Sequence, residues 1–236
     1  LLIGLVVGLI ALQPDLGTAL AVSIIALVML WVGGGRSLHL LYTGLVALPI
    51  VGLSLYFSPY QLKRVLSFLN GGDARGADYQ VSQSLLALGS GGGIGVGLGD
   101  SMQKQQFLPE PHTDFVFAFV GEELGLAGTL SVIGLFVALA IHGFRIAREA
   151  PTRHGFLLAT GITVMISVYA VLNIGVVTGM LPTTGLPLPF ISYGGSSMLW
   201  NLSGVGILVG VARASSGQPE SWQSRKQDRS FVQKTP

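Results

Sequence analysis

Four ionisable side chains lie close together just before a long apolar run. Lys104, Glu110, His112 and Asp114 fall within eleven positions, and the apolar run follows Asp114 directly. Where a chain enters a membrane, a carboxylate loses hydration, and this loss raises its pKa towards the range that suits a general base. Asp114 is therefore a candidate catalytic base. The alternative is a helix N-terminal cap, a role typical of Thr113 and Asp114 ahead of an apolar run.

Two further carboxylates lie inside that apolar run. Glu122 and Glu123 follow Asp114 by about two helical turns, which is roughly 12–14 Å at the rise of an α-helix. A carboxylate in lipid is costly, so an ionisable residue there is a candidate for function. The alternative is a shallow position and pairing with a loop cation such as Arg64. Because the distance excludes direct contact with Asp114, we assign the pair a supporting role.

Two polar turns separate other apolar segments. Gln13–Thr18 contains Asp15, which either caps the following helix or lines a site, and we assign it a supporting role. Leu181–Ser197 contains three prolines, which suppress helix formation up to about Phe190. Irregular backbone that is buried at membrane depth usually lines a cavity. The proline-containing segment is therefore a candidate cavity wall.

A glycine-rich run, Gly89–Gly99, follows a segment that resembles a short helix, Tyr79–Leu88. The run lacks the Gly-Lys-Ser/Thr ending of a P-loop and does not match the dinucleotide fingerprint. Its backbone amides are still able to cradle a phosphate, and a flexible hinge is the alternative. His112 is a weak candidate for a metal ligand, because no second histidine lies at ligand spacing.

The composition is that of a membrane protein. Half of the 236 residues are apolar and only 10% are charged, against about 25% in an ordinary soluble domain. The 34 glycines are typical of membrane helices that pack closely. The absence of cysteine excludes disulfides and thiol chemistry. A formal charge of +2 gives no indication of a nucleic-acid partner.

Hydropathy predicts an all-α fold, a polytopic bundle of transmembrane helices with one large extracytoplasmic loop. About 20 apolar residues span a bilayer core, and the first apolar segment is half this length. The chain also begins without methionine, which indicates a fragment that starts partway through a helix. The predicted membrane domain covers residues 1–212, with the loop at 58–114 and helices at about 1–12, 18–34, 38–57, 115–141, 155–180 and 191–212.

Basic residues predict the orientation of this bundle. Alternate loops carry the lysines and arginines, and the basic side faces the cytoplasm. The turns at residues 13–16 and 181–190 carry no lysine or arginine. The loop at 58–114 and the proline-containing turn then lie outside the cytoplasm. The polar tail at 213–236 is expected to be disordered and cytoplasmic.

Four sequence blocks resemble the SEDS family (shape, elongation, division and sporulation). They occur in family order and cover most of the outward-facing sequence. Ser101–Lys104 is more similar to the division branch of this family than to the elongation branch. The blocks are Gln13–Thr18 (QPDLGT), Tyr79–Gly93 (YQVSQSLLALGSGGG), Gln103–Gly125 (QKQQFLPEPHTDFVFAFVGEELG) and Gly179–Ser197 (GMLPTTGLPLPFISYGGSS).

The resemblance implies a peptidoglycan glycosyltransferase that polymerises lipid II during septal wall synthesis, by an inverting mechanism. The family's essential aspartate falls on Asp114, which would be the general base. Lys104 and Arg64 are candidates to stabilise the pyrophosphate leaving group, and a divalent cation (Mg or Mn) is an open alternative; no metal ligand is assigned. The other residues expected to bind substrate are Gln103, Glu110, His112, Thr113, Ser192, Gly194, Gly195 and Ser196.

Further expectations come from the same resemblance. Family members have ten membrane helices, so the first four would be missing here. The implied partners are a class B penicillin-binding protein, which is a transpeptidase, and other division proteins. The implied location is the bacterial inner membrane at the division septum. Two rival functions remain: a lipid II flippase that uses Glu122 and Glu123, and a non-catalytic scaffold of the division machinery.

Overall fold

The chain folds as an all-α bundle, as the sequence predicts. A computed structural model describes residues 8–10, 15–35, 44, 59–69, 79–99 and 114–216, and every regular element in these ranges is helical. Most of the predicted helices at 1–12 and 38–57 lies outside the described residues. The six described helices are α1 (Leu16–Val32), α2 (Pro59–Leu69), α3 (Tyr79–Gly91), α4 (Val116–Glu149), α5 (Arg153–Val177) and α6 (Gly195–Ser216).

Three of these helices are long and apolar enough to cross a membrane. They are α4, α5 and the part of α6 from Gly195 to Ser215, and α1 contains a shorter apolar helix, Gly17–Val32. Large apolar side chains on these helices are exposed, including Leu135 on α4 and Trp200 on α6. Since helices of this length and hydropathy with exposed apolar faces are typical of membrane proteins, the prediction of a transmembrane bundle is confirmed.

Four ends of the described membrane helices differ from the predicted positions by three residues or more. α4 continues to Glu149 instead of 141. Its additional turns follow the apolar region and contain an ion pair of 3.0 Å between Arg145 and Glu149. α5 ends three residues earlier than predicted, before Gly179, which has a φ of 70°. α6 begins four residues later than predicted, because the chain is still irregular at Phe190, where φ is 65°. α6 ends at Ser216 instead of 212, so the first four residues of the predicted tail are helical, and the rest of that tail lies outside the described residues.

The long polar stretch at 58–114 contains two helices. The sequence predicts a short helix at Tyr79–Leu88, and α3 extends it to Gly91. Sequence analysis missed α2, although its apolar residues Leu62, Val65, Leu66 and Leu69 recur at helical spacing. Both helices are therefore short elements at the membrane boundary, where the sequence suggested mostly loop.

The largest apolar core lies between α3, α4 and α5. Phe115, Phe117 and Ala118 pack there against Val176 and Val177 of α5. The Ser84 hydroxyl of α3 donates to the carbonyl oxygen of Val177 at 2.9 Å. This packing holds α3 across the end of the bundle at which α4 begins.

The bundle has one basic end. The Arg153 guanidinium donates to the Gly33 carbonyl at 2.8 Å, and the Ser215 hydroxyl donates to the Glu149 carbonyl at 2.7 Å. These contacts bring together the ends of α1, α4 and α6 and the start of α5. The same end carries Arg145, Arg148, Arg153 and Arg213. Asp114 and the irregular segment 178–194 lie at the opposite ends of the same helices.

The glycine-rich run is built into a break in α4. Gly125 has a φ of 65° and a ψ of −159°, which interrupts the helix. The amides of Leu126 and Ala127 donate to the carbonyls of Gly92 and Gly93, at 2.9 and 3.3 Å. The carbonyls of Glu122 and Glu123 accept from the amides at positions 96 and 97, at 3.0 and 3.2 Å. The run thus replaces the intrahelical bonds that α4 loses at its break.

This pairing decides what the glycine-rich run does. The amides of Val96 and Gly97 bond to α4, so they are not a phosphate cradle. The run is not a free hinge either, because Gly91 and Gly95 lie directly against the backbone of α4, with no room for a Cβ atom. Glycine is needed in this segment for close approach of two backbones.

Replacing Gly125 with alanine tests the inserted turn. We expect Gly125→Ala to lower the thermal stability of the detergent-purified protein by several degrees. A φ of 65° with a ψ of −159° lies in a region that is essentially restricted to glycine and costs another residue about 1–3 kcal/mol, and the new Cβ would also collide with Gly95. Gly134→Ala is the matched control, because position 134 of the same helix has no heavy atom within 4 Å of its Cβ site. Equal melting temperatures for the two variants would contradict this account of the break.

Candidate active site

A small polar pocket opens at the end of the bundle opposite the basic end. Its cavity volume is about 30 Å³, far below the roughly 300–1,000 Å³ of ligand pockets. The described residues therefore enclose room for little more than a water molecule. The pocket is lined by Arg64, Gln80, Asp114, Phe115, Asn173, Val176, Thr183, Thr184, Gly185 and Leu186.

Asp114 lies at the start of α4 and lines this pocket. It is partly buried, and its Oδ2 atom lies 3.6 Å from the Cβ site of Gly185. The N-cap of α4 is Phe115, and no side-chain capping bond is made there. The Asp114 side chain lines the pocket wall, and its role as a base or as a cap stays a prediction.

Arg64 of α2 lines the same pocket. Its Nη1 atom donates to the carbonyl oxygen of Thr183 at 3.3 Å. The structure thus brings a guanidinium and a carboxylate from distant parts of the chain, Arg64 and Asp114, to one cavity. Such a pair offers a proton acceptor and a site for developing negative charge.

The proline-containing segment enters the bundle and forms one pocket wall. Leu186 and Leu188 are buried, and Thr183 to Leu186 line the pocket. The turn is closed by the amide of Leu188, which donates to the Ser192 hydroxyl oxygen at 2.7 Å. The segment therefore lines a cavity, as the sequence predicts.

The residues of this segment that were predicted to bind substrate lie outside the lining of this pocket, and their role in binding stays a prediction. Ser192 is buried and uses its hydroxyl oxygen within its own turn. Gly194, Gly195 and Ser196 lie at the start of α6, outside the pocket lining. The residues that do line the pocket come slightly earlier in the chain, at 183–186.

Asp15 caps a helix in this structure. Its Oδ1 atom accepts a bond from the Thr18 amide at 3.0 Å, at the start of α1. Of the two alternatives for this residue, capping is the one observed, and Asp15 is absent from the pocket lining. The neighbouring Gly17 packs directly on the backbone of Thr184. The start of α1 therefore supports the pocket wall from behind.

Glu122 and Glu123 lie on α4 just before its break. Glu122 is buried, at 3% exposure, and neither residue lines the pocket. Their backbone carbonyls anchor the glycine-rich run. The supporting role predicted for their side chains stays a prediction.

Sequence analysis missed Asn173 and Gln80. Asn173 is 1% exposed, and its side-chain nitrogen donates to the carbonyls of Asp114 and Leu186, both at 2.7 Å. A signal was present, because a lone asparagine within an apolar membrane helix needs hydrogen-bond partners. Gln80 lies on the pocket-facing part of α3 and had no comparable signal.

Five predicted site residues lie outside the described residues: Gln103, Lys104, Glu110, His112 and Thr113. Within the described ranges, no group of three or more histidine, cysteine, aspartate or glutamate side chains is placed to hold a metal ion. Since Glu110 and His112 are not among the residues searched, the divalent cation stays a prediction.

The contact between Gly17 and Thr184 gives a direct test of the pocket wall. We expect Gly17→Ala to displace residues 183–186 and to destabilise the protein by about 1–3 kcal/mol, the usual cost of overpacking. Gly161→Ala is the control, because its Cβ would lie 3.4 Å from Met29, an ordinary contact. Thermal unfolding in detergent measures both. A melting temperature for Gly17→Ala that matches the control would show that α1 does not support the wall.

Comparison with known proteins gives a consistent result. The chain is 45% identical over 209 residues to the probable peptidoglycan glycosyltransferase FtsW of Trichlorobacter lovleyi, and 48% identical over 205 residues to stage V sporulation protein E of Bacillus subtilis. These matches cover 88% and 86% of this chain but 55% and 56% of the relatives. The chain thus spans somewhat more than half the length of these curated relatives.

Solved structures agree on the fold. A structure described as structural coordination of polymerization and crosslinking by a peptidoglycan synthase complex aligns with a TM-score of 0.71 at 34% identity, over 92% of this chain and 61% of that chain. The rod shape determining protein RodA of Thermus thermophilus aligns with a TM-score of 0.59 at 34% identity, over 92% and 56%. The model of a family of cell cycle proteins, named for FtsW, RodA and SpoVE, matches residues 1–217. The chain therefore belongs to the FtsW/RodA/SpoVE family of cell cycle proteins, as its sequence motifs predict.

Proposed function

We propose that the protein is a peptidoglycan glycosyltransferase that polymerises lipid II into glycan strands, with Asp114 as the general base. The observation that carries this proposal is the shared pocket of Asp114 and Arg64, at one end of a membrane bundle. A lipid-linked sugar presents its reacting atoms at this boundary. The name of the Trichlorobacter lovleyi relative, a probable peptidoglycan glycosyltransferase, supports the same reaction.

In the proposed reaction, the Asp114 carboxylate removes the proton from a GlcNAc hydroxyl of the acceptor. The hydroxyl oxygen then attacks the anomeric carbon of the donor MurNAc. The bond from that carbon to the pyrophosphate oxygen breaks, and undecaprenyl pyrophosphate leaves from the opposite face. A single displacement inverts the anomeric configuration. This chemistry needs one carboxylate base and a cation at the leaving group.

Among the described residues, Arg64 is our candidate for the cation that stabilises the leaving group. Its guanidinium lies at the pocket and already donates to the Thr183 carbonyl. A planar guanidinium with several donors suits pyrophosphate oxygens. Lys104, which lies outside the described residues, is the second candidate. A bound divalent cation would supply further charge at the same leaving group.

The two ends of the bundle support an orientation. Arg145, Arg148, Arg153 and Arg213 cluster at one end, which the positive-inside rule places in the cytoplasm. The pocket then faces outward from the bacterial inner membrane, where glycan strands are built. The description of the family as cell cycle proteins supports a role in septal wall synthesis during division.

A crosslinking enzyme is the proposed partner. The solved structure with a TM-score of 0.71 is described as a synthase complex that coordinates polymerization and crosslinking. We propose that this protein likewise acts with a class B penicillin-binding protein, a transpeptidase, and with other division proteins. Its polymer would then pass directly to the enzyme that crosslinks it.

Asp114→Asn is the decisive variant. Full-length protein, purified with its transpeptidase partner, would be given labelled lipid II, and glycan polymer would be measured on gels. We expect the variant to lose at least about 10²-fold in rate, because general base catalysis contributes typically 10²–10⁴-fold. The control is Asp15→Asn, which keeps an oxygen acceptor for the Thr18 amide and should retain full activity.

Other outcomes separate the rival functions. Equal polymer from wild type and Asp114→Asn would remove this carboxylate from the mechanism. No polymer from folded wild-type protein, together with transfer of lipid II across vesicle membranes, would favour a flippase. No polymer and no transfer would favour a scaffold.

A further inference from the structure

One buried amide joins the two walls of the pocket. Asn173 lies on α5, one turn before the helix ends, and is 1% exposed. Its Nδ2 atom donates to the carbonyl of Asp114 at 2.7 Å and to the carbonyl of Leu186 at 2.7 Å. The first carbonyl belongs to the residue that carries the proposed base. The second belongs to the opposite, irregular wall.

The orientation of this amide is fixed by its partners. Both Nδ2 hydrogens point at carbonyl oxygens, which only accept hydrogen bonds. A flipped amide would place Oδ1 against two oxygens and lose both bonds. Within the described ranges Oδ1 itself has no donor. The hydrogen bonding of Asn173 is therefore directed at the two pocket walls.

These bonds constrain the position of the proposed base. The carbonyl oxygens of Asp114 and Leu186 both accept from the same nitrogen atom at 2.7 Å. They therefore lie no farther apart than twice this distance, and the amide sets the separation of the two walls. Asp114 is joined to α4 through a single residue, Phe115. Holding its peptide group therefore limits the directions in which its carboxylate can leave the backbone.

We propose that Asn173 is a positioning residue for glycosyl transfer, which holds the Asp114 peptide and the Leu186 peptide at the separation that the reaction requires. The inference rests on the proposed function of the pocket. Burial of an asparagine does not by itself give this role. Asn201 of α6 is also buried, yet its amide bonds to Ser197 within its own helix.

The test compares Asn173→Ala with a variant that destabilises the other end of the bundle. Gly143→Ala is suitable, because its Cβ would collide with Thr163 on α5, far along that helix from Asn173. The full-length protein with its transpeptidase would be assayed for kcat and KM with lipid II, and melting temperatures would be recorded.

We expect Asn173→Ala to lower kcat by about 10- to 100-fold, since a displacement of 1 Å costs up to about 10² in rate. KM for lipid II should stay within about threefold of wild type. Gly143→Ala should keep the wild-type kcat, although its melting temperature should fall by about as much as that of Asn173→Ala. A kcat for Asn173→Ala equal to that of Gly143→Ala, or a raised KM with unchanged kcat, would overturn the proposal.

A second measurement does not depend on activity. Hydrogen exchange of the purified protein should show faster exchange for Asn173→Ala both at the start of α4 and at residues 183–192, and no such change for Gly143→Ala. If Asn173→Ala does not fold, Asn173→Leu has similar volume and no donor, and the same result is expected. Unchanged exchange in either wall would overturn the proposal. If the wild-type protein is inactive while Asn173→Ala still exchanges faster than wild type in both walls, the result counts against the proposed function alone.

Discussion

The structure depends on one constraint, which is that backbone polar groups in a membrane must be hydrogen bonded within the protein. A continuous helix meets this constraint by itself, whereas α4 is broken at Gly125. The glycine-rich run resolves the break by pairing with both of its sides. The break and the run are therefore one element, although about thirty residues separate them in the chain.

The same constraint shapes the pocket. The segment at 178–194 is irregular and partly buried, so its carbonyls and amides need partners from side chains. Arg64 satisfies the carbonyl of Thr183, Asn173 that of Leu186, and Ser192 the amide of Leu188. A segment held in this way can present polar backbone at membrane depth without a large cost in stability. The pocket wall is thus a consequence of how the irregular segment is stabilised.

The charged side chains are divided between the two ends of the bundle. Arginines are concentrated at one end of the bundle, where the helices run out into water. Asp114 and Arg64 lie at the other end, in a cavity bounded by apolar side chains such as Phe115 and Val176. The proposed chemistry on a lipid-linked substrate suits this boundary, because such a lipid would stay in the bilayer while its polar head reached the cavity.

The sequence alone determined the class of the fold, the family and the candidate base. Hydropathy is a local property, and so α4, α5 and α6 were predictable from their apolar runs. The position of Asp114 before one of these runs made it a candidate base. The helix ends were less predictable, since a positive φ at Gly179 follows the end of α5 and a positive φ at Phe190 delays the start of α6. The amphipathic helix α2 had a weaker signal and was missed.

Only the tertiary structure decided which residues meet. No local pattern states that Arg64 reaches Thr183, that Gly17 supports Thr184, or that Asn173 joins Asp114 to Leu186. These contacts connect residues that are far apart in the chain, and they follow from the packing of several helices at once. The roles of Asp15 as a cap and of the glycine-rich run as part of α4 were settled in the same way. Residue type limits what a side chain can do, whereas its partners, which only folding supplies, decide what it does.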